Sequence, residues 1–410
     1  MALVKNLYIR LYFIVMMLYV FLNKGVAYSF LAELMWATGI VLLLLNRKTL
    51  EIPNTRSVKF LFFFLVVSFI YILKGIVSHS LFDVIRDSFI FQYGWFVFIL
   101  FLFQNEQKFI WDSLFKIYTW FPIVGFCVFI AQFFVPAISE FKLFGTIPLV
   151  LYKYGDMGVH LLISSLMLLM YSDRITSKKL WILIFFIALD FLIIAAYSRA
   201  GAVTYIIGLL CFIYFNKDVV LKTRTRLVLK WLPLVLLIVI PFYISLQVSE
   251  NFQGRTIGLE QIKDNFGSIL GAGVNVNSEN NVTWRLIWWA KIIDYSFTPT
   301  GIFIGKGLGM SLADSDGILS LDDELRSPHN FHLNIMARFG VLLFCVWMYW
   351  IYLMMKPIFK KQLGTLSLAI SCILMAFLLN ASFDVFLEGP MGAFPFWTWV
   401  GLLFITDAQT

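Results

Sequence analysis

Long apolar runs recur from one end of this chain to the other, and they decide the solvent in which it can fold. A run of roughly 15 to 25 apolar residues, wound as a helix, crosses about 30 Å of hydrocarbon. With 60% hydrophobic and only 14% charged residues, the chain has too little polar surface to enclose one water-soluble core. The sequence therefore predicts an all-α polytopic membrane protein.

Twelve apolar runs are long enough to be read as transmembrane helices. They cover residues 8–23, 27–45, 58–74, 88–103, 115–135, 157–171, 180–197, 201–215, 227–246, 330–355, 363–379 and 390–406. The chain then divides into three parts. These are helices 1 to 9 in residues 1–246, a long loop with an amphipathic helix in 247–328, and helices 10 to 12 in 329–410.

Lys and Arg are distributed unevenly between the two sides of this layout. The short segments on one side hold 19 of them, and the short loops on the other side hold six. Because basic residues are retained in the cytoplasm, both termini are predicted to be cytoplasmic and the long loop to lie outside. The net charge of +8 then reflects mostly the basic residues that set the membrane topology, so we expect no nucleic-acid partner.

Few ionisable residues fall inside the predicted spans, which argues against a transporter. Transporters usually place such residues near the bilayer midplane, often on broken helices. Here Glu33 and Asp190 are the main acids inside spans, and a hydrogen bond between helices would account for each. A flippase or other transporter of lipid-linked oligosaccharide stays open as a less favoured alternative.

Polar groups collect instead at the predicted outer face. Arg199 lies in "AAYSRAGAV", a short turn between two spans, where it is either an interface anchor or a ligand contact. Gly201 allows another backbone or a ligand to approach this turn closely. In the long loop, "VTWRLIWWAKIIDYSF" places apolar residues at helical spacing and sets Arg285 among tryptophans. A tryptophan belt with an anchoring arginine and a phosphate contact are both compatible with this pattern.

A glycine-rich stretch and a histidine-containing stretch follow in the long loop. "GIFIGKGLGM" lacks the strand and helix that a nucleotide loop needs, so we expect a flexible or closely packed turn. In "SPHNFHLNIMARFG", Ser327 fits a helix N-cap and Pro328 the first helical position. His329 would then lie in the first turn, where unpaired N–H groups attract anions. The chain has four histidines and no third ligand at suitable spacing, so neither a metal nor a cofactor is expected.

Two arginines and a helix N-terminus at one membrane face suit a phosphate-bearing substrate. The guanidinium fork pairs bidentately with phosphate oxygens and stays charged. A neutral histidine beside the phosphate can accept a proton from an attacking hydroxyl. With no nucleotide site, the energy must arrive in an activated donor, which indicates a sugar linked to a lipid diphosphate.

The chain resembles the O-antigen ligase and O-antigen polymerase superfamily of bacterial membrane glycosyltransferases. The likeness covers the twelve-span layout, the late outer loop and a C-terminal "NASFDVFLEGPMGAFPFW". The ligase motif is His, then Asn, Ser or Gln, nine residues, Gly, two residues, and Gly, Thr or Tyr. His329, Asn330 and Gly340 match it at the right spacing, whereas Leu343 does not match the last position.

The resemblance implies a fold of the GT-C type and inverting, metal-independent glycan transfer at the periplasmic face of the inner membrane. It implies an undecaprenyl-diphosphate-linked oligosaccharide as donor. A polymerase of O-antigen or another surface polysaccharide joins this donor to a lipid-linked acceptor, whereas a ligase in lipopolysaccharide biosynthesis passes the glycan to lipid A-core. Leu343 favours the polymerase. Membrane lipid and a chain-length regulator are further expected partners.

The resemblance also implies roles for individual residues. Arg199 and Arg285 are expected to hold the lipid diphosphate, and His329 to activate the acceptor. Other polar residues at the outer face are candidate substrate contacts: Asn330, His332, Arg255, Arg326 and Glu388.

Overall fold

The computed structural model is mainly helical in the residues that it describes. These residues are 2–23, 29–135, 137–143, 147–148, 153–216, 235, 237–241, 243–244, 262–263, 276–318, 325–359 and 364–407. A two-residue antiparallel pair, Lys142–Leu143 with Ile147–Pro148, is the one β ladder among them. The predicted helical class is therefore confirmed.

Six described helical segments are long and apolar enough to cross a membrane, so the structure indicates a membrane protein. They are Leu3–Leu22, Arg56–Ser78, Trp95–Gln132, Tyr154–Arg174, Ser177–Tyr197 and Val341–Phe359. Four shorter apolar helices coincide with other predicted spans: Leu31–Leu45, Arg199–Phe215, Thr365–Ala381 and Pro390–Thr406. Most of the predicted span 227–246 lies outside the described residues.

The chain divides into two compact units. The first comprises Met1–Leu31, Asn105–Asn275 and Gly364–Asn380. Its helices, numbered along the whole chain, are α1 (Ala2–Leu22), α6 (Gln107–Phe134), α7 (Ala137–Glu140), α8 (Tyr154–Tyr171), α9 (Ser177–Tyr197), α10 (Arg199–Phe215) and α16 (Thr365–Ala381). The α8 helix is buried along most of its length and packs on α6, α9 and α10.

Close contact between α8 and α10 depends on glycine. A Cβ atom added at Gly158 would stand 2.4 Å from the carbonyl oxygen of Gly201, and one at Gly201 would stand 3.0 Å from Gly155 Cα. Larger residues at these positions would push the two backbones apart. The expected close approach at Gly201 is therefore made by another helix of the same unit.

The second unit comprises Ala32–Gln104, Val276–Leu363 and Ala381–Thr410. Its helices are α2 (Leu31–Leu45), α3 (Arg56–Ser78), α4 (Leu81–Gln92), α5 (Trp95–Leu100), α11 (Val276–Ser296), α12 (Pro299–Phe303), α13 (Leu312–Asp316), α14 (Phe331–Phe339), α15 (Val341–Phe359) and α17 (Pro390–Asp407). Three 3₁₀ turns complete the described helical elements: Phe101–Glu106, Ser172–Arg174 and Phe386–Glu388.

Apolar and aromatic contacts hold the second unit together. The α17 helix packs on α5, and α3 packs on both α4 and α15. Trp347, Trp350 and Trp397 lie almost fully buried with their ring centroids 4.9 to 6.2 Å apart. Glu33 accepts a hydrogen bond from the Tyr93 hydroxyl, which confirms the expectation of a bond between helices for this acid.

Two predicted boundaries were wrong. The span expected over 330–355 is two helices, because Gly340 has a φ of +85° and ends α14 before α15 begins. The two spans expected at 88–103 and 115–135 are joined by helical backbone from Trp95 onward, with a kink at Phe103. Lys108 and Lys116, near the start of α6, are therefore part of this helical segment.

Candidate functional site

His329 lies at the turn that leads into α14. The prediction that Ser327 caps this helix was wrong, since the cap is Asn330, whose Oδ1 accepts a hydrogen bond from the Leu333 N–H at 3.0 Å. Asparagine is among the strongest N-caps, so it competes successfully with an upstream serine. His329 therefore precedes the helix and is outside its first turn.

His329 has a left-handed backbone, with φ at +53°. Only a few per cent of non-glycine residues adopt this conformation, although histidine does so more readily than most. Trp289 Nε1 donates to the Pro328 carbonyl at 2.7 Å and so fixes the preceding peptide. The turn presents an imidazole whose side chain is 26% exposed.

Arg285 reaches this imidazole from the α11 helix. Its Nη2 lies 3.3 Å from His329 Nδ1, and its Nη1 donates to the Phe383 carbonyl at 2.9 Å. The Trp284 ring stands edge-on to His329 at 5.7 Å and lies 5.4 Å from the Arg285 guanidinium carbon. Arg285 therefore contacts both a neighbouring tryptophan and the histidine.

The α11 helix is placed by its buried face. Trp288 and Ile292 are fully buried against α13 and α14, and Trp288 Nε1 donates to Asp316 Oδ2 at 2.6 Å. Ile287 on the same helix is 62% exposed beside Leu286, so apolar residues also lie on the exposed side of α11.

Asp384 also belongs to this site, although it was not predicted from the sequence. Its Oδ1 lies 3.9 Å from His329 Nδ1, and it also accepts a hydrogen bond from the Val385 N–H at 2.7 Å. Neighbouring Phe383 supplies the carbonyl that Arg285 contacts. The available signal was an acid five residues after the predicted span 363–379, in "NASFDVF". We name the group formed by Arg285, His329 and Asp384 the imidazole cluster.

The other candidate contacts have different surroundings. His332 Nδ1 accepts from Trp347 Nε1 at 3.0 Å. Arg326 Nη2 lies 3.5 Å from Asp87 and 3.8 Å from Asp83. Glu388 ends the 3₁₀ turn Phe386–Glu388, close to the Asp384 loop in sequence.

The structure describes one of the two remaining candidate arginines. Arg199 is the first residue of α10 in the first unit, directly after Ser198, whose hydroxyl caps the helix by accepting from Gly201 N–H. Arg255 lies outside the described residues. In the described part of the chain, no three His, Cys, Asp or Glu side chains converge as metal ligands.

The glycine-rich stretch forms the closely packed turn that was one of its two expected forms. Gly305, Gly307 and Gly309 all have positive φ. The N–H groups of Lys306 and Gly307 donate to the carbonyls of Ala337 and Arg338, each at 2.8 Å, and so cap the C-terminal end of α14.

The imidazole cluster combines three chemical groups at one partly exposed position. The guanidinium can bind an anion, the imidazole can exchange a proton, and the carboxylate can orient the imidazole or stabilise its charged form. Trp284 adds an apolar surface beside them. No family model, curated protein or solved structure matches the chain.

Proposed function

We propose that this protein is an inverting, metal-independent membrane glycosyltransferase that acts on undecaprenyl-diphosphate-linked glycan at the periplasmic face of a bacterial inner membrane. We further propose that it is a polymerase that joins repeat units of O-antigen or another surface polysaccharide. The observation that carries the proposal is the 3.3 Å contact between Arg285 Nη2 and His329 Nδ1. It joins an anion-binding group and a proton-accepting group in a membrane protein, as transfer from a lipid diphosphate requires.

Arg285 would bind the donor diphosphate. A guanidinium offers two parallel N–H donors to phosphate oxygens, and it remains charged at every physiological pH. Two of its contacts are with a neutral carbonyl at Phe383 and a ring nitrogen, which are weaker acceptors than a phosphate oxygen. An arriving diphosphate would compete well with these two acceptors for the guanidinium.

His329 would act as the general base. The acceptor hydroxyl oxygen attacks the anomeric carbon of the donor sugar, and its proton passes to the imidazole. The bond from that carbon to the diphosphate oxygen breaks, and undecaprenyl diphosphate leaves with the electron pair. Attack from the face opposite the leaving group inverts the configuration of the sugar carbon. Asn330 supports this role by fixing the turn that carries His329.

The identity of the acceptor separates polymerase from ligase. The proposed test incubates purified protein in detergent with a labelled lipid-diphosphate repeat unit, with and without lipid A-core oligosaccharide. A ladder of longer glycans without lipid A-core supports the polymerase. Transfer that requires lipid A-core supports the ligase instead. If reconstituted protein moves labelled lipid across vesicles and lengthens no glycan, the transferase proposal fails and a flippase is favoured.

A further inference from the structure

A second cluster of charged groups lies in the same unit as His329 and centres on Asp87 of the α4 helix. Asp87 is only 3% exposed. Its Oδ2 accepts hydrogen bonds from Arg338 Nη1 at 2.9 Å and from the Gly309 N–H at 3.0 Å. Its Oδ1 lies 3.5 Å from Arg326 Nη2. One carboxylate therefore contacts three separate segments of the chain.

The two arginines on Asp87 lie on either side of His329 in the sequence. Arg326 precedes the histidine by three residues, and Arg338 lies in the last turn of the short α14 helix that follows it. A single buried acid thus holds both the incoming and the outgoing chain of the turn that presents the imidazole. Neither arginine contacts His329 itself in the described contacts, so Asp87 acts on the imidazole only through the backbone.

Arg338 restrains α14 through further hydrogen bonds. It is 1% exposed, and it donates to Asn334 Oδ1 at 2.8 Å and to the carbonyls of Gly307 and Met310 at 3.3 Å. The α14 helix has only nine residues, too few to be stable alone. Its orientation is therefore set by these contacts and by apolar packing.

A left-handed residue such as His329 needs this kind of support. Sparsely populated backbone conformations persist only where the surrounding structure over-determines them. The Asn330 cap and the Trp289 bond to Pro328 act within the turn, whereas Asp87 fixes the turn to α4 and to the glycine-rich segment.

We propose that Asp87 is a positioning residue for His329, acting through Arg326 and Arg338 on both sides of the histidine turn. The kinetic consequence of this inference is the one part that rests on the proposed function. The structural part, that Asp87 holds the imidazole in the cluster with Arg285, is independent of any reaction.

The structural part is tested by labelling histidines with diethyl pyrocarbonate, followed by peptide mass spectrometry. His79, which is partly exposed, is the internal reference for the labelling rate, and the fully buried His160 of the first unit, which should stay unlabelled, is the reference for folding. In Asp87→Asn, the carboxylate charge is lost and His329 is expected to label several-fold faster, while His79 keeps its rate and His160 stays unlabelled. Arg326→Gln is a second variant that is expected to fold, because Arg326 is 28% exposed, and it should shift His329 in the same direction.

Asp314→Asn is the matched control. Asp314 is an exposed acid on α13 in the same unit, and the described contacts do not link its side chain to Asp87, to Arg326 or to α14. Its substitution should leave His329 labelling unchanged. Unchanged labelling in both Asp87→Asn and Arg326→Gln would overturn the proposal, as would an equal rise in the control.

The kinetic part is tested on the same proteins. Misplacing a catalytic group by about 1 Å can cost about 100-fold in rate, so kcat of Asp87→Asn should fall by about that factor. The KM for the lipid-linked donor should stay unchanged, because Arg285 is not held by Asp87. A rise in KM with unchanged kcat would contradict positioning. If the wild type transfers no glycan, the proposed function fails, and the labelling result still decides the role of Asp87.

Discussion

Arg285 Nη2 lies 3.3 Å from Nδ1 of His329, and Asp384 Oδ1 lies 3.9 Å from the same ring nitrogen. Arginine can only donate, so a hydrogen bond between the first pair places the lone pair on Nδ1 and the proton on Nε2. If a diphosphate draws the guanidinium away, Nδ1 can carry a proton toward Asp384 and leave Nε2 as the base. Substrate binding would then set the tautomer that the reaction needs.

Arg285→Lys is expected to raise the KM for the lipid-linked donor by about tenfold or more. Lysine cannot offer two parallel donors, and one hydrogen bond to a charged group contributes about 1.5–3 kcal/mol. Steady-state kinetics of glycan elongation provide the measurement. Arg174→Lys is the control, because Arg174 lies over the Tyr171 ring in the other unit. If Arg285→Lys kept wild-type kinetics, Arg285 would be an interface anchor and would not bind the phosphate.

Asn330→Ala is expected to lower the free energy of unfolding by about 1 kcal/mol, the usual cost of losing an N-cap. The lost contact is the 3.0 Å bond from the Leu333 N–H to Asn330 Oδ1. Thermal unfolding in detergent provides the measurement. Asn330→Ser, which keeps a capping oxygen, should retain most of the stability. Equal stability of the alanine and wild-type proteins would contradict the assigned cap.

The sequence predicted the members of the imidazole cluster better than their arrangement. Arg285 and His329 were found because their residue types and flanking residues are unusual for a membrane chain. Asp384 was missed, because its proximity to His329 arises from packing between segments more than 50 residues apart in sequence. Likewise, only the folded chain identifies Asp87 as the partner of Arg338.

The predicted start of α14 was wrong because two helix-start signals lie close together in the sequence. Ser327 with Pro328 and Asn330 are both good helix starts, and local pattern does not rank them. The break between α14 and α15 at Gly340 was not predicted, because the apolar pattern continues through this glycine. A Cβ there would stand 2.6 Å from the Gly301 carbonyl oxygen, so the glycine is required by a segment about 40 residues earlier.

Asp83 is expected to make stability depend on acidic pH. The Ser80 hydroxyl, and after it Arg86, Arg326 and His79, hold the pKa of Asp83 below its ordinary value of 3.8. A depressed folded-state pKa gives stability that is complete above the unfolded-state pKa and is lost as pH falls through the folded-state pKa. The wild type should therefore lose its advantage over Asp83→Asn only below about pH 4.

Thermal midpoints of the two proteins between about pH 7 and pH 3 test this prediction. Asp83 lies on α4, which is not among the six candidate spans, so it titrates outside them. A constant difference between the two proteins across the acidic range would show that Asp83 contributes no charge-dependent stability.

The central claim is that His329 accepts the proton of the acceptor during glycan transfer. The most direct measurement compares initial rates of glycan elongation for the wild type, His329→Ala and the control His79→Ala, with matched folding in all three. The proposal predicts a fall of about 10² to 10⁴ in His329→Ala, the usual contribution of a general base, and no change in the control. A well-folded His329→Ala protein that lengthens glycan at the wild-type rate would contradict the claim.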